Sequence, residues 1–453
     1  MNETERRTNE TVELLQQLIQ NACVNEGTPE SGQEVRNADL IMGALEGCGA
    51  DAQLYESLPG RTSLVARHQG TDSDAPALCL MAHTDVVPVS PEGWQEDPFG
   101  GELITNADGI AEVWGRGAVD MLNVTAAMTV AFRDVVKSGK RYPGDVVLLM
   151  VADEEFGGTY GAQHLISNHW DDVKCDYVLT EYGGTPTPDG SAVLLTAGEK
   201  TGAFRRIVVH GTPGHGSMPY ATDNALYKAA EIVRRIGEYS PVPRLDEVFA
   251  DRLSALGLPE ATQKALMDPA RVADELAALP VGMARNLHAC CHITMSPNLM
   301  TAGDKVNTIA NRAEIQVDVR MLPGDTQDGI DQTFRDIIGP DLLPSCEIEQ
   351  ILPEREDGAA FSSTDTPLWG ALTDAIQMAY PNAAVVPSLV SGGTDARFFR
   401  KMGIPAYGAG LLSSDLQLSE FLNRFHGHNE RIDTKSLELT TQLWLDVLDR
   451  LWV

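Results

Sequence analysis

The chain of 453 residues is 43% hydrophobic and 22% charged, the composition of an ordinary globular protein with room for two or more sizeable cores, which excludes a disordered or fibrous chain. Its formal charge of -31, from 65 acidic against 34 basic residues, repels nucleic acid and anionic membranes, and no basic run offsets it. The opening "MNETERRTNETVELLQQLIQ" lacks the apolar segment of a signal peptide, and no later stretch holds the roughly eighteen uninterrupted apolar residues of a membrane span, so a cytoplasmic protein is expected.

Residues 11–23 and 33–48 carry helical apolar spacing on either side of the turn-rich "NEGTPESGQE". Short β-like runs follow, "SLVARHQ" and "ALCLMAH", then a helix-like "NVTAAMTVAFRDVVKSG" and two more apolar runs, "GDVVLLMVADEE" and "CDYVLTEYGG". Strands alternating with helices predict an α/β fold with a mixed, largely parallel sheet flanked by helices, and chemistry collects beyond the carboxyl ends of such strands. His83, Glu154, Glu155 and Glu181 each stand where an apolar run gives out, as though on one rim.

From about residue 199 the order becomes "AFRRIVVHG" (strand), "TDNALYKAAEIVRRIGEY" (helix), "ACCHITMSPNL" and "AEIQVDVRML" (strands), "TQDGIDQTFRDII" (helix) and "SCEIEQIL" (strand). This βαββαβ order is that of a split βαβ module. The expected organisation is a larger α/β domain of residues 1–198 and 358–453 and an inserted α+β domain of residues 199–357, itself interrupted by an Ala/Leu-rich helical insertion at about 240–288.

Seven cysteines are scattered without C-x-x-C spacing, so a bound metal should have histidine and carboxylate ligands. In "LCLMAHTDVVPV", His83 and Asp85 close a strand either as a satisfied structural pair or as a metal ligand with its orienting carboxylate. Asp120 in "WGRGAVDM" opens a helix-like segment, where a capping role competes with a binding one. The adjacent acids Glu154 and Glu155 in "VADEEFGG" are costly unless a cation stands beside them, and neighbouring side chains in an extended segment point in different directions, so one can bind metal while the other handles a proton. An exposed acidic loop is the competing reading. His426 and His428 in "RFHGHNERI" are each a candidate ligand or a surface residue, and in "HGTPGHGSMP" His215, displayed among small residues, is the better functional candidate than His210.

The series "HTD", "GRGAVDM", "DEEFGG", "EYGG", "HGSMP", "VNTIANRAEIQVDVR", "SGGTDAR" and "HGHNE" resembles, in order and over nearly the whole chain, the zinc metallohydrolases that include aminoacylase, acetylornithine deacetylase, succinyl-diaminopimelate desuccinylase, glutamate carboxypeptidase and carnosinase. The resemblance implies a zinc-peptidase-like catalytic domain with an inserted dimerisation and lid domain. It implies two Zn²⁺ ions, with Co²⁺ or Mn²⁺ as substitutes, one held by His83 and Glu181, the other by Glu155 and His426, with Asp120 bridging both. Asp85 would orient His83, and Glu154 would be the general base taking a proton from water. The family spacing H-x-x-N-E selects His426 over His428. His215 would complete the site of the neighbouring subunit in a homodimer and help stabilise an oxyanion. Asn307, Arg320, Gly392, Gly393 and Thr394 would hold the substrate, with Arg320 gripping a carboxylate as a fork, unless it pairs with Asp318 or another local acid. Where many members read Asp-Met-Lys-Gly, this chain has "DMLN", with Leu122 and Asn123 after the bridging acid.

These expectations amount to a dinuclear zinc amidohydrolase acting on a small molecule or dipeptide with a free carboxylate. A glutamate at position 181 is commoner among the deacylases of the family, which favours an N-acyl amino acid, with a metallo-carboxypeptidase or dipeptidase as the alternative. A non-catalytic relative that binds a small ligand is the reading of another class; the presence of Glu154 beside a full ligand set argues against it.

Overall fold

The computed structural model describes residues 1–187, 189–351, 360–416, 421 and 423–453. The strands of the first part are β1 (Asp51–Leu58), β2 (Arg61–His68), β3 (Leu78–His83), β4 (Leu103–Thr105), β5 (Ala111–Trp114), β6 (Val146–Val151), β7 (Tyr177–Thr180), β8 (Gly183–Pro186) and β9 (Ala192–Glu199). The middle of the chain supplies β10 (Thr201–Gly202), β11 (Arg205–His210), β12 (Gly214–His215), β13 (Thr294–Ala302), β14 (Thr308–Ile309), β15 (Arg312–Met321) and β16 (Cys346–Gln350), and the last part β17 (Ala384–Val390), β18 (Ala406–Gly408) and β19 (Arg431–Asp433).

Among the described residues the large sheet runs β1-β2-β6-β3-β7-β18-β9-β17, with β8 on β9. It is mixed: its centre, β6-β3-β7-β18, is parallel, while β1, β2 and the pairings of β9 with β18 and β8 are antiparallel. β3 and β6 are buried along their whole length, which is why "LCLMAH" and "VVLLMV" read as unbroken apolar runs. Their side chains alternate between two cores. Leu78, Leu80, Val146, Leu148 and Met150 face one, with Leu15, Leu18, Phe132 and the wholly buried Trp444 of the helices Glu3–Gln20, Leu122–Ser138 and Thr434–Leu448. Cys79, Met81, Val147 and Leu149 face the other, against Leu165, Phe398 and Phe399.

The second sheet, β10-β15-β11-β16 with β13 on the other side of β15, is antiparallel and buries its own core, Ile207, Val209, Ile232, Ile315, Val317, Phe334 and Ile338, beneath the helices Ala225–Glu238 and Gln327–Leu342. Each helix starts on a side-chain cap, Asn224 accepting from the Leu226 N–H and Thr326 from that of Gly329. This is the βαββαβ order read from the pattern. One boundary differs: Ala289, Cys290 and Cys291 end the helix Val281–Cys291, and the strand begins only at Thr294. The helical insertion closes its own small core with Leu287, Cys290 and Cys291 beside Phe249, Leu253 and Val272, so burial on a helix face produced the apolar run that resembles a strand start. The expected return to the first domain at 357–358 lies outside the described residues.

Candidate metal centre

The three parallel strands β3, β6 and β7 end on one rim. His83 is the last residue of β3 and pairs with Val151, the last of β6, while Glu181 follows β7 directly. After β6 the chain turns through Asp153 in a left-handed conformation (φ 68°) into a short turn holding Glu154 and Glu155. Asp120 lies between β5 and the helix Leu122–Ser138, and His426, also left-handed at φ 55°, precedes β19, which pairs with β5. Unfavourable φ at non-glycine residues of a site is maintained by surrounding contacts that overdetermine it.

Two groups of possible ligand atoms result, His83–Asp120–Glu181 and Asp120–Glu155–His426, each with its atoms within 4.8 Å of one another and both sharing Asp120. His83 Nε2 is 3.3 Å from Asp120 Oδ1 and 3.7 Å from Glu181 Oε2; His426 Nε2 is 3.0 Å from Asp120 Oδ2 and 3.3 Å from Glu155 Oε2. Glu154 stands outside both groups, its Oε2 4.0 Å from His83 Nε2. Burial, then the nearby Glu181 carboxylate, pushes Glu154 well above the ordinary carboxylate range.

The electrostatics ask for cations. Burial alone would raise Asp120, but hydrogen bonds from His426 and His83 outweigh it and hold it well below the usual range. Hydrogen bonds to Asp120 and then Glu155 push His426 up to about 10. For His83, burial opposes the charged form, but the Glu181 carboxylate and the hydrogen bond to Asp120 outweigh it and raise the imidazole well above its ordinary value. Glu155 Oε1 and Glu181 Oε2 are buried without a hydrogen-bond partner. An all-imidazole and carboxylate donor set with orphaned anionic oxygens fits divalent cations.

Asp85 touches the centre differently from its expected role. The His83 Nδ1 partner at 3.0 Å is the backbone carbonyl of Asp85, with the carboxylate at 3.6 Å. That carboxylate instead accepts from the N–H groups of Glu154 and Glu155, both at 3.2 Å, and from Asn25 at 2.8 Å, so it shapes the turn that carries the two glutamates. Asn25 also donates to Asp153, which pairs with buried Arg61 at 2.8 Å, and Arg61 meets Glu34 at 2.8 Å. On the other side, Glu430 accepts from the N–H groups of Val119 and Asp120 and pairs with Arg116 at 2.6 Å, fixing the backbone of the shared acid. The motifs "DEE" and "HGHNE" contained Asp153 and Glu430, but Asn25, Glu34 and Arg61 carried no signal in a single sequence. His428 meets the edge of Trp94 at 6.5 Å and belongs to neither ligand group.

The expected substrate residues divide among three places. His215 and Asn307 come together at the exposed two-stranded β12–β14 pairing, which joins segments far apart in the chain, and there the Asn307 carbonyl accepts from the Gly216 N–H at 2.8 Å. His215 Nδ1 accepts from the Ser217 N–H at 3.2 Å, which assigns the proton of the neutral ring to Nε2. Arg320 forks onto Asp318 at 2.8 and 3.2 Å and lies over the Phe204 ring, so its local acid is its partner in this structure. Thr394 is buried and donates to Glu199 at 2.8 Å, anchoring the loop, while a side-chain carbon on Gly392 would meet open space.

A family model described as Peptidase family M20/M25/M40 matches residues 79–450. Aminoacylase-1 of Mus musculus is 26% identical over 425 residues, covering 93% of this chain and 90% of that protein. Among solved structures, an M20 family metallo-carboxypeptidase from Sulfolobus solfataricus aligns with a TM-score of 0.72 at 19% identity, covering 100% of this chain and 99% of that one. A dinuclear metal-binding peptidase of the M20 family from Bacillus subtilis aligns with a TM-score of 0.59 at 14% identity, covering 98% and 97%.

Proposed function

The chain belongs to peptidase family M20/M25/M40 and is a hydrolase of amide bonds, and from that premise we propose that it is a cytoplasmic dinuclear zinc deacylase whose substrate is a small N-acyl amino acid with a free carboxylate. The observation that carries the proposal is the pair of ligand groups sharing Asp120, with Glu154 beside His83 of the first and part of neither. Two Zn²⁺ ions, with Co²⁺ or Mn²⁺ as substitutes, would be held by His83, Asp120 and Glu181 and by Asp120, Glu155 and His426; when bound they polarise a carbonyl and make water nucleophilic at neutral pH. Glu154 takes the proton of the attacking water and passes it to the leaving nitrogen, a task suited to a carboxylate whose proton affinity has been raised by burial. His83 is fixed through the Asp85 carbonyl, and Asp85 holds the turn that aims Glu154.

In this reading residues 1–198 and 358–453 form the catalytic domain and 199–357 the inserted dimerisation and lid domain, a division supported by the separate core of the second sheet. Strand β13 is an edge strand with Leu299 and Met300 exposed, and Met218, Tyr220 and Val306 are exposed next to the β12–β14 pairing that carries His215, which supports a homodimer through this face. His215, with its proton on Nε2, suits an oxyanion donor offered to the partner's site, beside Asn307. Gly392 and Gly393 would line the substrate loop that Thr394 anchors, and Arg320 would exchange Asp318 for the substrate carboxylate.

The test is a hydrolysis screen of N-acetyl amino acids and dipeptides with zinc-loaded protein, together with methyl esters of the best substrates. Faster cleavage of N-acetyl amino acids than of dipeptides is expected, and most of kcat/KM should vanish in the ester. Preference for dipeptides would favour the metallo-carboxypeptidase or dipeptidase reading; equal rates on acid and ester would remove Arg320 from substrate binding. No turnover of any amide with two ions bound would favour a non-catalytic ligand binder.

A further inference from the structure

Tyr182 is a member of neither ligand group, yet it reaches the centre from three directions. Its hydroxyl donates to Asp120 Oδ2 at 2.8 Å, the same oxygen that His426 Nε2 meets at 3.0 Å. Along the chain it follows Glu181 of the first group. Its ring stacks on Phe425, the neighbour of His426 in the second, with centroids 5.1 Å apart and planes at 25°. The residue is held in the left-handed region, φ 64°, a conformation that disfavours a side chain. The following Gly183 and Gly184 press against the backbone of Gly408 and Gly410, where a side-chain carbon would come within 2.1 and 1.8 Å of a carbonyl oxygen. The aim of the phenol is therefore set by the backbone on one side and by the stack on the other.

The metal-loaded state makes this contact the important one. Among the described residues, the side-chain donors to the Asp120 carboxylate are His83 Nε2, His426 Nε2 and the Tyr182 hydroxyl. His83 Nδ1 is taken by the Asp85 carbonyl, so Nε2 is the nitrogen left to ligate, and an imidazole that ligates through Nε2 cannot also donate from it. Tyr182 then remains as the side chain that can still hold the carboxylate. Building on the dinuclear centre proposed above, we infer that Tyr182 is a positioning residue: its hydroxyl occupies one lone pair of Asp120 Oδ2, stops the carboxylate from rotating so that both oxygens face one ion, and thereby imposes the bridging mode on which the Glu155–His426 ion depends.

Tyr182→Phe removes the hydroxyl and keeps the stack. The affinities of the two ions are measured by chelator competition with Zn²⁺ and by the visible spectrum with Co²⁺, alongside thermal unfolding of the metal-free protein. The ion on the Glu155–His426 side should weaken by about 10- to 100-fold, the range found when a partner of a metal ligand is removed, with the first ion within about threefold of its native affinity and metal-free unfolding unchanged. Two native-like affinities, or a loss of metal-free stability with both affinities intact, overturn the inference and make the tyrosine a packing residue. Asp120→Ala is measured in parallel. If it keeps both ions, the dinuclear reading itself fails; if it loses them while Tyr182→Phe does not, only the tyrosine's role fails.

Discussion

Glu154 and Glu155 are adjacent, share the Asp85 carboxylate as acceptor for their backbone N–H groups, and are proposed to take different tasks. Glu155 lies 3.3 Å from His426 and has a buried, unpartnered Oε1, whereas Glu154 stands outside both ligand groups. Glu154→Gln should leave the metal content unchanged and lower turnover by at least about 100-fold, as loss of a general base does. Glu155→Gln should lose one ion. Elemental analysis beside steady-state rates separates the two, and the opposite pattern would exchange their roles. The candidate ligand groups were legible because His83, Glu155 and Glu181 stand where apolar strands end, a pattern one sequence displays. The working atom of Asp85 was not, since carbonyl and carboxylate of one residue compete within 0.6 Å for the same nitrogen. Tyr182 was hidden because its aim rests on a left-handed backbone pressed against residues 408–410, more than two hundred positions away.

At the scale of elements, the junction between the two sheets turns on Lys200, which lies between β9 and β10. It is wholly buried, and its ammonium donates to the carbonyls of His292 and Ala289 at 2.7 and 3.1 Å and to Thr294 Oγ1 at 3.1 Å, tying the end of the helical insertion to the start of β13. Burial lowers it from 10.5 to about 8. Between those values the unfolded chain binds a proton that the folded chain has released, so this group makes stability rise with pH from about 8 to 10.5, and the benefit is lost as pH falls through about 8. Denaturant unfolding across that window should show the rise in the native protein and a flatter profile in Lys200→Met. Equal slopes would mean that the lysine titrates as it does in the unfolded chain. The βαββαβ order was readable from alternating and helical periodicities, while "ACCHI" misled because a buried helix face and a buried strand present the same short apolar run.

For the whole molecule, the proposed dimer can be tested without a second structure. His215→Ala and Glu154→Gln subunits, each inactive alone, should recover part of the native rate on mixing, because one of the two sites in a mixed dimer has both groups intact. Demonstrated exchange with no recovery would return His215 to its own subunit or remove it from catalysis. The β12–β14 pairing that presents His215 and Asn307 is exposed, as are the neighbouring Met218, Tyr220 and Val306. If His215 works in a site that a second copy completes, as proposed, competence is a matter of mass action and specific activity becomes a function of protein concentration. Dilution should therefore lower the rate per subunit in step with dissociation measured by sedimentation, and an excess of the Glu154→Gln subunit, itself inactive, should restore it by supplying the missing imidazole.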